Sequence, residues 1–394
     1  MKIVSVEIFD AKSPQTFMNK LQPILIRINT DEGISGLGEV GLAFGVGRNA
    51  GIAYTKEIAE GFLIGADPMQ TEKIWETLFR KTFWGFDGGP VIGAGISAVD
   101  EACWDIKGKA LGVPVYQLLG GKTRDKLRAY ASQLQFGWDI INPKPAASIK
   151  DYANQAVKAI SAGYDAVKLN PLAFDEKGQF SAKDNTKNLP AQQIKTLVDR
   201  MTAVRDAIGN DNDIILETHA MLSDTTAIQV GRALEGLNIM YFEESTPPIN
   251  PLVMKRVRDN VRIPLASGER IYTRWGFRPF IEDQILAVVQ PDIQLAGGIS
   301  EGRKICDYAN IYDIAVQLHV CGGPVATAAA LQLEAVIPNF IIHEHVKPAE
   351  HQDNMGLIEQ ELLPKNGYFS IPDEPGLGIT LNERVMKKYP KITV

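Results

Sequence analysis

Three glutamates of this chain each follow a short apolar run. Glu217 closes residues 214–216, Glu243 closes residues 239–242, and Glu269 closes residues 264–268. The second glutamate comes 26 residues after the first, and the third comes 26 residues after the second. A strand, a loop, a helix and a return loop occupy about that length, so the spacing predicts consecutive β/α units. The three carboxylates then end neighbouring parallel strands and converge at one mouth of a barrel.

Such a cluster predicts a metal site. Carboxylates that converge without a partner repel one another and are costly to bury together. A divalent cation removes this conflict, and a ligand set made only of oxygen favours Mg²⁺ over zinc. The alternative is three unrelated glutamates on solvent-facing loops. The equal spacing after apolar runs favours the metal site.

Other polar residues occupy equivalent positions at predicted strand ends. Residues two apart on a strand share a face, so Lys168 and Asn170 point the same way, as do Glu217 and His219. Asp292 ends the sixth predicted strand of the barrel and His319 ends the seventh. A carboxylate beside a histidine holds one tautomer and makes the ring more basic, which prepares a general base.

The eighth predicted strand carries Glu344 between two histidines. Strand alternation predicts that His343 and His345 point away from Glu344, toward the helix layer. A second metal site built from these histidines and His351 is the alternative, and the alternation argues against it. Cys321, near His319, is interpreted as a bystander thiol, with a reactive role as the alternative.

Composition excludes several classes of protein. The chain has 394 residues, 45% hydrophobic and 22% charged, with a net charge of −6. This acidic balance argues against a nucleic-acid partner or an anionic membrane surface. The sequence has no apolar run of about 18 residues, the length that a membrane span requires. Three scattered cysteines and an N-terminus that lacks a signal-peptide core indicate reduced thiols and a cytoplasmic protein.

The elements that must position these residues fall into two groups. Residues 2–11 and 21–30 alternate like antiparallel strands, and helical patterns follow near 70–84 and 93–111, which predicts a small α+β domain. From about residue 127 strands alternate mostly with helices, which predicts a TIM-type barrel. We place its eight strands near residues 127–134, 166–170, 213–219, 239–244, 264–269, 287–292, 315–320 and 340–345.

The order of short motifs over nearly the whole chain resembles the enolase superfamily. Within it, the chain is most similar to the mandelate-racemase-like acid-sugar dehydratases of the D-galactonate dehydratase type. The resemblance is carried by residues 104–109, 120–125, 242–244, 267–270, 290–292, 296–299 and 375–378. It implies a modified (β/α)₇β barrel at 126–360. It also implies an α+β capping domain at 1–125, on which a C-terminal segment, 361–394, packs.

The resemblance also implies chemistry. Mg²⁺ is expected on Glu217, Glu243 and Glu269, with His319 and its partner Asp292 as the base. We expect His319 to remove the C2 proton of an aldonate similar to D-galactonate. The 3-hydroxyl would then leave, giving a 2-keto-3-deoxy sugar acid.

Other residues receive roles in the same scheme. His219 is expected to protonate the leaving hydroxyl, and Glu344 to bind the substrate carboxylate region or the enediolate. Lys168 is expected to supply positive charge near the substrate carboxylate and Asn170 a neutral hydrogen bond. Lys168 as a mere neutraliser of the carboxylates is the alternative. His219 as a metal-site neighbour or packed histidine is another.

Two departures from the family pattern concern substrate identity more than metal binding. Glu217 stands where the family commonly has Asp, and Ser245 stands where a proline usually follows the second metal ligand and its neighbouring glutamate. Loops near 12–20 and 42–51 are expected to set substrate choice, with Lys20 and Arg48 as candidate contacts or, alternatively, ordinary surface charges. The acid sugar and the acceptance of diacids stay open. Superfamily resemblance suggests a homo-oligomer.

Rival functions on the same scaffold are an epimerase or racemase and, more distantly, a cycloisomerase. Racemisation by two bases needs a base on each face of C2, and Asn170 cannot serve as the second, although Lys168 keeps this rival open. A non-catalytic sugar-acid-binding protein is the alternative from another class. A metal set combined with a His–Asp pair argues against it, because binding alone needs no poised base.

Overall fold

The computed structural model describes residues 1–12, 21–86, 88–140, 142–180 and 188–394. Strands β1 to β13 span, in chain order, Ile3–Asp10, Ile24–Thr30, Ser35–Val40, Lys126–Ser132, Ala166–Leu169, Asp213–Glu217, Tyr241–Glu243, Leu265–Ser267, Val288–Val289, Ala315–Val316, His343–Val346, Tyr368–Ser370 and Lys391–Thr393. Helices α1 to α14 span Arg48–Ile58, Thr71–Lys81, Gly89–Leu111, Val115–Leu118, Ile149–Ser161, Ala191–Ile208, Asp224–Leu234, Pro251–Arg258, Thr273–Glu282, Ile293–Ala296, Gly298–Ile311, Pro324–Glu334, Gln352–Met355 and Glu383–Met386.

Eight parallel strands form a curled sheet in the order β10-β9-β8-β7-β6-β5-β4-β11. Residues 339–341 close the ring ahead of β11. The amide of Val316 in β10 donates to the carbonyl of Asn339 at 2.8 Å, and the amide of Ile341 donates to the carbonyl of Val316 at 3.0 Å. The barrel prediction is confirmed, and each strand lies within about a residue of its predicted interval.

An apolar layer fills the barrel beneath the polar residues. Its members are fully or almost fully buried and belong to the barrel strands or border them: Tyr130, Ala166, Ile215, Tyr241, Ala266, Val288 and Ile342. Ile215 and Tyr241 each lie two residues before a predicted metal ligand, on the same face of the strand. Large apolar side chains below therefore support the carboxylates at the carboxyl ends of the strands.

A four-stranded antiparallel sheet, in the order β13-β1-β2-β3, forms the core of the cap. The long helix α3 packs directly on β3, because glycines of β3 leave no side chain between them. A Cβ at Gly38 would lie 1.9 Å from the carbonyl oxygen of Ala98, and a Cβ at Gly36 would lie 2.1 Å from that of Ala102.

The end of the chain contacts both units. Strand β12 pairs antiparallel with β4 of the barrel, and β13 pairs antiparallel with β1 of the cap. The division at 1–125, 126–360 and 361–394 stays a prediction. In the described part of the chain, no helix combines the length and apolar character needed to cross a lipid bilayer.

Candidate active site

Three glutamates meet at the carboxyl ends of neighbouring strands. Glu217 ends β6 and Glu243 ends β7, and the two residues are paired in the parallel register. Glu269 lies two residues beyond β8. One carboxylate oxygen from each lies within 4.8 Å of the others. The equal spacing in sequence thus corresponds to a cluster in space.

The electrostatics of this cluster fit a divalent cation. Burial raises the pKa of Glu217 to about 7 and that of Glu243 well above its ordinary value, while Lys168 opposes both effects. Oε2 of Glu217 is buried without a hydrogen-bond partner among the described residues. One lysine does not neutralise three crowded carboxyl groups, and one of their oxygens has no hydrogen-bond donor in the described part of the chain. A site of this kind, made only of oxygen ligands, is the kind that Mg²⁺ prefers.

Lys168 lies inside the carboxylate cluster. Its Nζ is 2.5 Å from Oε1 of Glu243, 2.8 Å from Oε1 of Glu344 and 3.6 Å from Oε2 of Glu217. Although burial lowers the pKa of this ammonium, the surrounding carboxylates outweigh it and raise the pKa well above the ordinary value. A lysine bound in this way remains protonated, so its geometry matches neutralisation of the cluster better than the removal of a proton.

His319 lies between two carboxylates. Its Nδ1 is 2.7 Å from Oδ2 of Asp292, and its Nε2 is 3.2 Å from Oε2 of Glu269. Burial lowers the pKa of His319, but Glu269 and Asp292 outweigh it and raise the pKa to about 10. Since Glu269 is a candidate metal ligand, a cation bound there would reduce this rise and free His319 to accept a proton.

Glu344 holds the residue next to His319 in place. Its Oε2 accepts a hydrogen bond from the amide of Val320 at 3.1 Å, and its Oε1 accepts one from the hydroxyl of Ser132 at 2.6 Å. Burial raises the pKa of Glu344, yet Lys168 and His319 outweigh it and lower the pKa to about 2. Glu344 is therefore a carboxylate that binds donors, not a protonated acid.

His219 lies just beyond β6, in a turn where it has φ of 48° and Ala220 has φ of 57°. Its backbone amide donates to Oε1 of Glu217 at 2.5 Å, and its Nδ1 lies 3.0 Å from Nδ2 of Asn170. Burial lowers the pKa of His219 to about 4. The amide of Asn170 donates to the neutral ring, so Nε2 carries the proton.

Two residues of the cap loops, Lys20 and Arg48, were candidate substrate contacts. Lys20 lies outside the described residues. Arg48, the first residue of α1, forms an ion pair with Asp10, and its side chain is 12% exposed. A role for Arg48 in substrate binding stays a prediction.

Two residues that we did not predict also contact the cluster. Nε2 of Gln290 donates to Oε2 of Glu243 at 2.6 Å, and Arg270 forms ion pairs with Glu244 and Glu269. Arg270 and His219 line a cavity of about 570 Å³ together with Tyr272 and Trp275. Their positions in the motifs at 290–292 and 267–270 were the available signal.

The histidines of β11 face away from the site, as strand alternation predicts. Nδ1 of His343 lies 2.6 Å from Oε2 of Glu334, and Nε2 of His345 lies 3.1 Å from Oε1 of Glu350. Within the described residues, Glu217, Glu243 and Glu269 form the one group of three or more His, Cys, Asp or Glu side chains that lie close enough together to hold a metal ion.

Comparisons with known proteins agree with this geometry. Residues 4–120 match the mandelate racemase/muconate lactonizing enzyme N-terminal domain, and residues 151–385 match the enolase C-terminal domain-like family.

Individual relatives are similar over most of their length. A D-galactonate dehydratase of Pectobacterium atrosepticum is 33% identical over 93% of this chain and 91% of its own. A D-xylonate dehydratase of Haloferax volcanii is 33% identical over 91% of this chain and 83% of its own. A crystal structure of an enolase superfamily member from Salmonella Typhimurium is 50% identical, covers 100% of this chain and 99% of that one, and has a TM-score of 0.96.

Proposed function

We propose that this chain, which belongs to the mandelate racemase/muconate lactonizing enzyme family of the enolase superfamily, acts on an aldonate similar to D-galactonate. Its relatives establish the broader activity, which is that of an acid-sugar dehydratase. The observation that carries this proposal is the position of His319. One ring nitrogen faces Asp292, and the other faces Glu269 of the carboxylate cluster. A base held against a candidate metal site suits removal of a proton next to a substrate carboxylate.

The first step is proton transfer from C2 to His319. Asp292 accepts the hydrogen bond from Nδ1, so Nε2 is the nitrogen that takes the proton. Glu217, Glu243 and Glu269 would hold Mg²⁺, and the bound ion would supply positive charge that stabilises the charge developing on the substrate carboxylate. Glu344, held by Lys168 and Ser132, fixes the backbone beside His319.

The second step breaks the bond between C3 and its hydroxyl oxygen. His219 donates a proton to that oxygen, water leaves, and a double bond forms between C2 and C3. The resulting enol then gains a proton at C3, loses the proton of its C2 hydroxyl to solvent, and becomes a 2-keto-3-deoxy acid. Since His219 is neutral in the substrate-free protein, it must take up a proton before this step.

Epimerisation is the nearest rival. It would require a second base on the opposite face of C2, for which Lys168 and Asn170, at the end of β5, are the candidates. Nζ of Lys168 is bound to the carboxylates of Glu243 and Glu344, and an amide such as Asn170 is not a base. Both facts support dehydration.

The cytoplasmic location and the homo-oligomeric state stay predictions.

The test is a set of aldonates and diacids incubated with the protein and Mg²⁺ in D₂O, assayed for 2-keto-3-deoxy products. A keto product from one acid, absent with His319→Asn, would support the proposal and name the substrate. Deuterium at C2 with inverted configuration and no keto product would establish an epimerase instead. Tight binding of an acid sugar without exchange or product would indicate a binding protein.

A further inference from the structure

One face of cap helix α3 binds the segment of the barrel that follows Asp292. Residues 93, 97, 100, 101 and 104 recur at helical spacing and therefore share this face. At residue 93 the backbones touch, because a Cβ there would lie 2.2 Å from the carbonyl oxygen of Leu295. Further along, the amide of Gly297 donates to Oγ of Ser97 at 3.0 Å, and the amide of Ser300 donates to Oδ2 of Asp100 at 2.9 Å.

Glu101 of this face is connected to the proposed base through two intermediate residues. Its Oε1 accepts a hydrogen bond from Nε2 of Gln294 at 2.7 Å. The backbone amide of Gln294 donates to Oδ1 of Asp292 at 2.8 Å, which caps the short helix α10. The other carboxylate oxygen of Asp292 contacts Nδ1 of His319. The position of Gln294 therefore determines how the carboxylate of Asp292 meets His319.

The second oxygen of Glu101 belongs to a second path, which leads to the turn after His319. Oε2 accepts a hydrogen bond from the amide of Glu39 at 3.0 Å. The carboxylate of Glu39 in turn accepts hydrogen bonds from the amides of Gly323 at 2.5 Å and Ala326 at 3.1 Å. These amides belong to the turn after His319 and to the first turn of α12.

Both glutamates are fully buried, so their charge is costly unless each oxygen is satisfied. The two paths meet at one carboxylate of the cap, and they end on Asp292 and on the turn that follows His319. We propose that Glu101 is a positioning residue, which sets the geometry of the His319–Asp292 pair from across the interface between cap and barrel. This inference rests on the proposed function, in which His319 is the base.

The main test variant is Gln294→Met. It removes the side-chain contact with Glu101 but keeps the backbone amide that donates to Asp292. Because a misplacement of about 1 Å can cost about 10²-fold in rate, we expect kcat to fall by about tenfold or more. The KM for the aldonate and the Mg²⁺ affinity should change less than about twofold, since no substrate or metal contact is altered.

A second variant shifts the same residue without removing a polar group. A Cβ at Gly41 would lie 2.6 Å from both Cβ and the carbonyl oxygen of Gln294, so Gly41→Ala pushes on Gln294 from the cap. It should lower kcat in the same way. Glu101→Gln is the conservative variant. The amide of Gln294 can rotate and accept from the new side chain, so kcat should stay within a few-fold of the unmodified protein.

The control is Trp104→Phe, on the same face of α3. It removes the 2.8 Å hydrogen bond from Nε1 of Trp104 to Oγ of Ser300, beyond the helix α10 that Asp292 caps. A general effect of a weakened interface would appear here too. Thermal unfolding measures how much stability Trp104→Phe and Gln294→Met each lose. The proposal requires that kcat fall in Gln294→Met and not in Trp104→Phe.

A readout that does not depend on activity keeps this inference separate from the proposed function. The chain has five histidines, so a spectrum of ¹⁵N-histidine-labelled protein is tractable, and His319→Asn identifies the His319 signal. The Nδ1 proton of His319 should shift in Gln294→Met and Gly41→Ala, but not in Trp104→Phe.

If Gln294→Met leaves both the His319 signal and kcat unchanged, the inference is overturned. An equal fall of kcat in Trp104→Phe overturns it as well. If no aldonate is turned over by the unmodified protein, the proposed function fails while the histidine spectrum still decides the inference. If Gln294→Met does not fold, Gly41→Ala gives the same decision.

Discussion

His319 and Asp292 are 27 residues apart in sequence, yet Nδ1 of His319 lies 2.7 Å from Oδ2 of Asp292. This contact joins the ends of two neighbouring barrel strands, β9 and β10. It also decides which nitrogen of the ring is available for chemistry. With Nδ1 facing Asp292, Nε2 faces Glu269 and the carboxylate cluster.

Replacement of His319 by Asn should stop removal of the C2 proton and leave cation binding intact. An amide cannot accept the proton, and a general base contributes about 10²- to 10⁴-fold in rate. Exchange of the C2 proton in D₂O, followed by NMR of the aldonate, should fall by that amount, while calorimetry should give an unchanged Mg²⁺ affinity. His351→Asn is the matched control, because Asn also caps helices and can replace His351 at the N-terminus of α13. Undiminished exchange in His319→Asn would show that another residue is the base.

Replacement of Glu243 by Gln should abolish both cation binding and turnover. Glu243 contributes one of the three clustered carboxylates. Loss of a group that merely orients a ligand costs about 10- to 100-fold in metal affinity, so loss of a ligand charge should cost more. Calorimetric titration with Mg²⁺ measures this loss. The control is Glu334→Gln, a buried glutamate outside the cluster whose partner His343 can still donate to the new amide oxygen. Equal Mg²⁺ affinity in the two variants would contradict the assigned site.

Replacement of His219 by Asn should separate the two proposed steps. The variant lacks the group that protonates the leaving hydroxyl but keeps His319 and the three carboxylates. We therefore expect C2 exchange with solvent deuterium to continue while formation of the keto product falls by about 10²-fold or more. Both quantities can be followed in one NMR experiment. A parallel loss of exchange and product would instead place His219 in the first step or in the metal site.

Replacement of Lys168 by Met should destabilise the protein without Mg²⁺ more than the protein with it. Lys168 is 3% exposed and is bound to Glu243 and Glu344. Removing one partner of a buried ion pair costs about 3–5 kcal/mol, because the remaining charges lose their compensation. Added Mg²⁺ binds the folded state, so it should raise the melting temperature of the variant more than that of the unmodified protein. An equal rise in both would contradict the role of Lys168 as a neutralising cation.

The barrel and the site were predictable because both depend on short-range patterns. Strand alternation and the placement of polar residues after apolar runs are local properties of the sequence. These properties were enough to predict the closeness of Glu217, Glu243 and Glu269 and the side of β11 on which Glu344 lies. The closeness of His319 and Asp292 followed from the end positions of neighbouring strands.

The rest depends on packing between distant parts of the chain. No periodicity indicates that Glu39 binds the amide of Gly323 or that Glu101 binds the side chain of Gln294, because those contacts span 284 and 193 residues. The position of Lys168 among the carboxylates required distances in space, since strand alternation gives only the face. The sequence made Arg48 a candidate substrate contact or a surface charge, and it did not indicate the ion pair with Asp10. The sequence pattern does not indicate which polar groups pair when they are far apart along the chain.

The stability of the protein should depend on pH through Asp100 of helix α3. Burial raises the pKa of Asp100 to about 7 from an ordinary value of 3.8. Between about pH 4 and pH 7 the folded chain therefore holds a proton that the unfolded chain has released. The free energy of unfolding contributed by this group falls as the pH rises across that window, and it stays reduced above it.

Replacement of Asp100 by Asn should flatten this part of the pH profile. The new amide oxygen accepts from the amide of Ser300, and its NH₂ group donates to Oγ of Ser300, so both hydrogen bonds can be kept. The stability gain relative to the unmodified protein should grow from pH 5 to pH 8 by up to a few kcal/mol, since one pKa unit corresponds to about 1.4 kcal/mol. Urea unfolding at several pH values measures it. Asp307→Asn, at an exposed aspartate of α11, is the control for the same substitution at a site that is not buried. A constant difference between Asp100→Asn and the unmodified protein at every pH would mean that Asp100 is ionised throughout, held so by the two donors of Ser300.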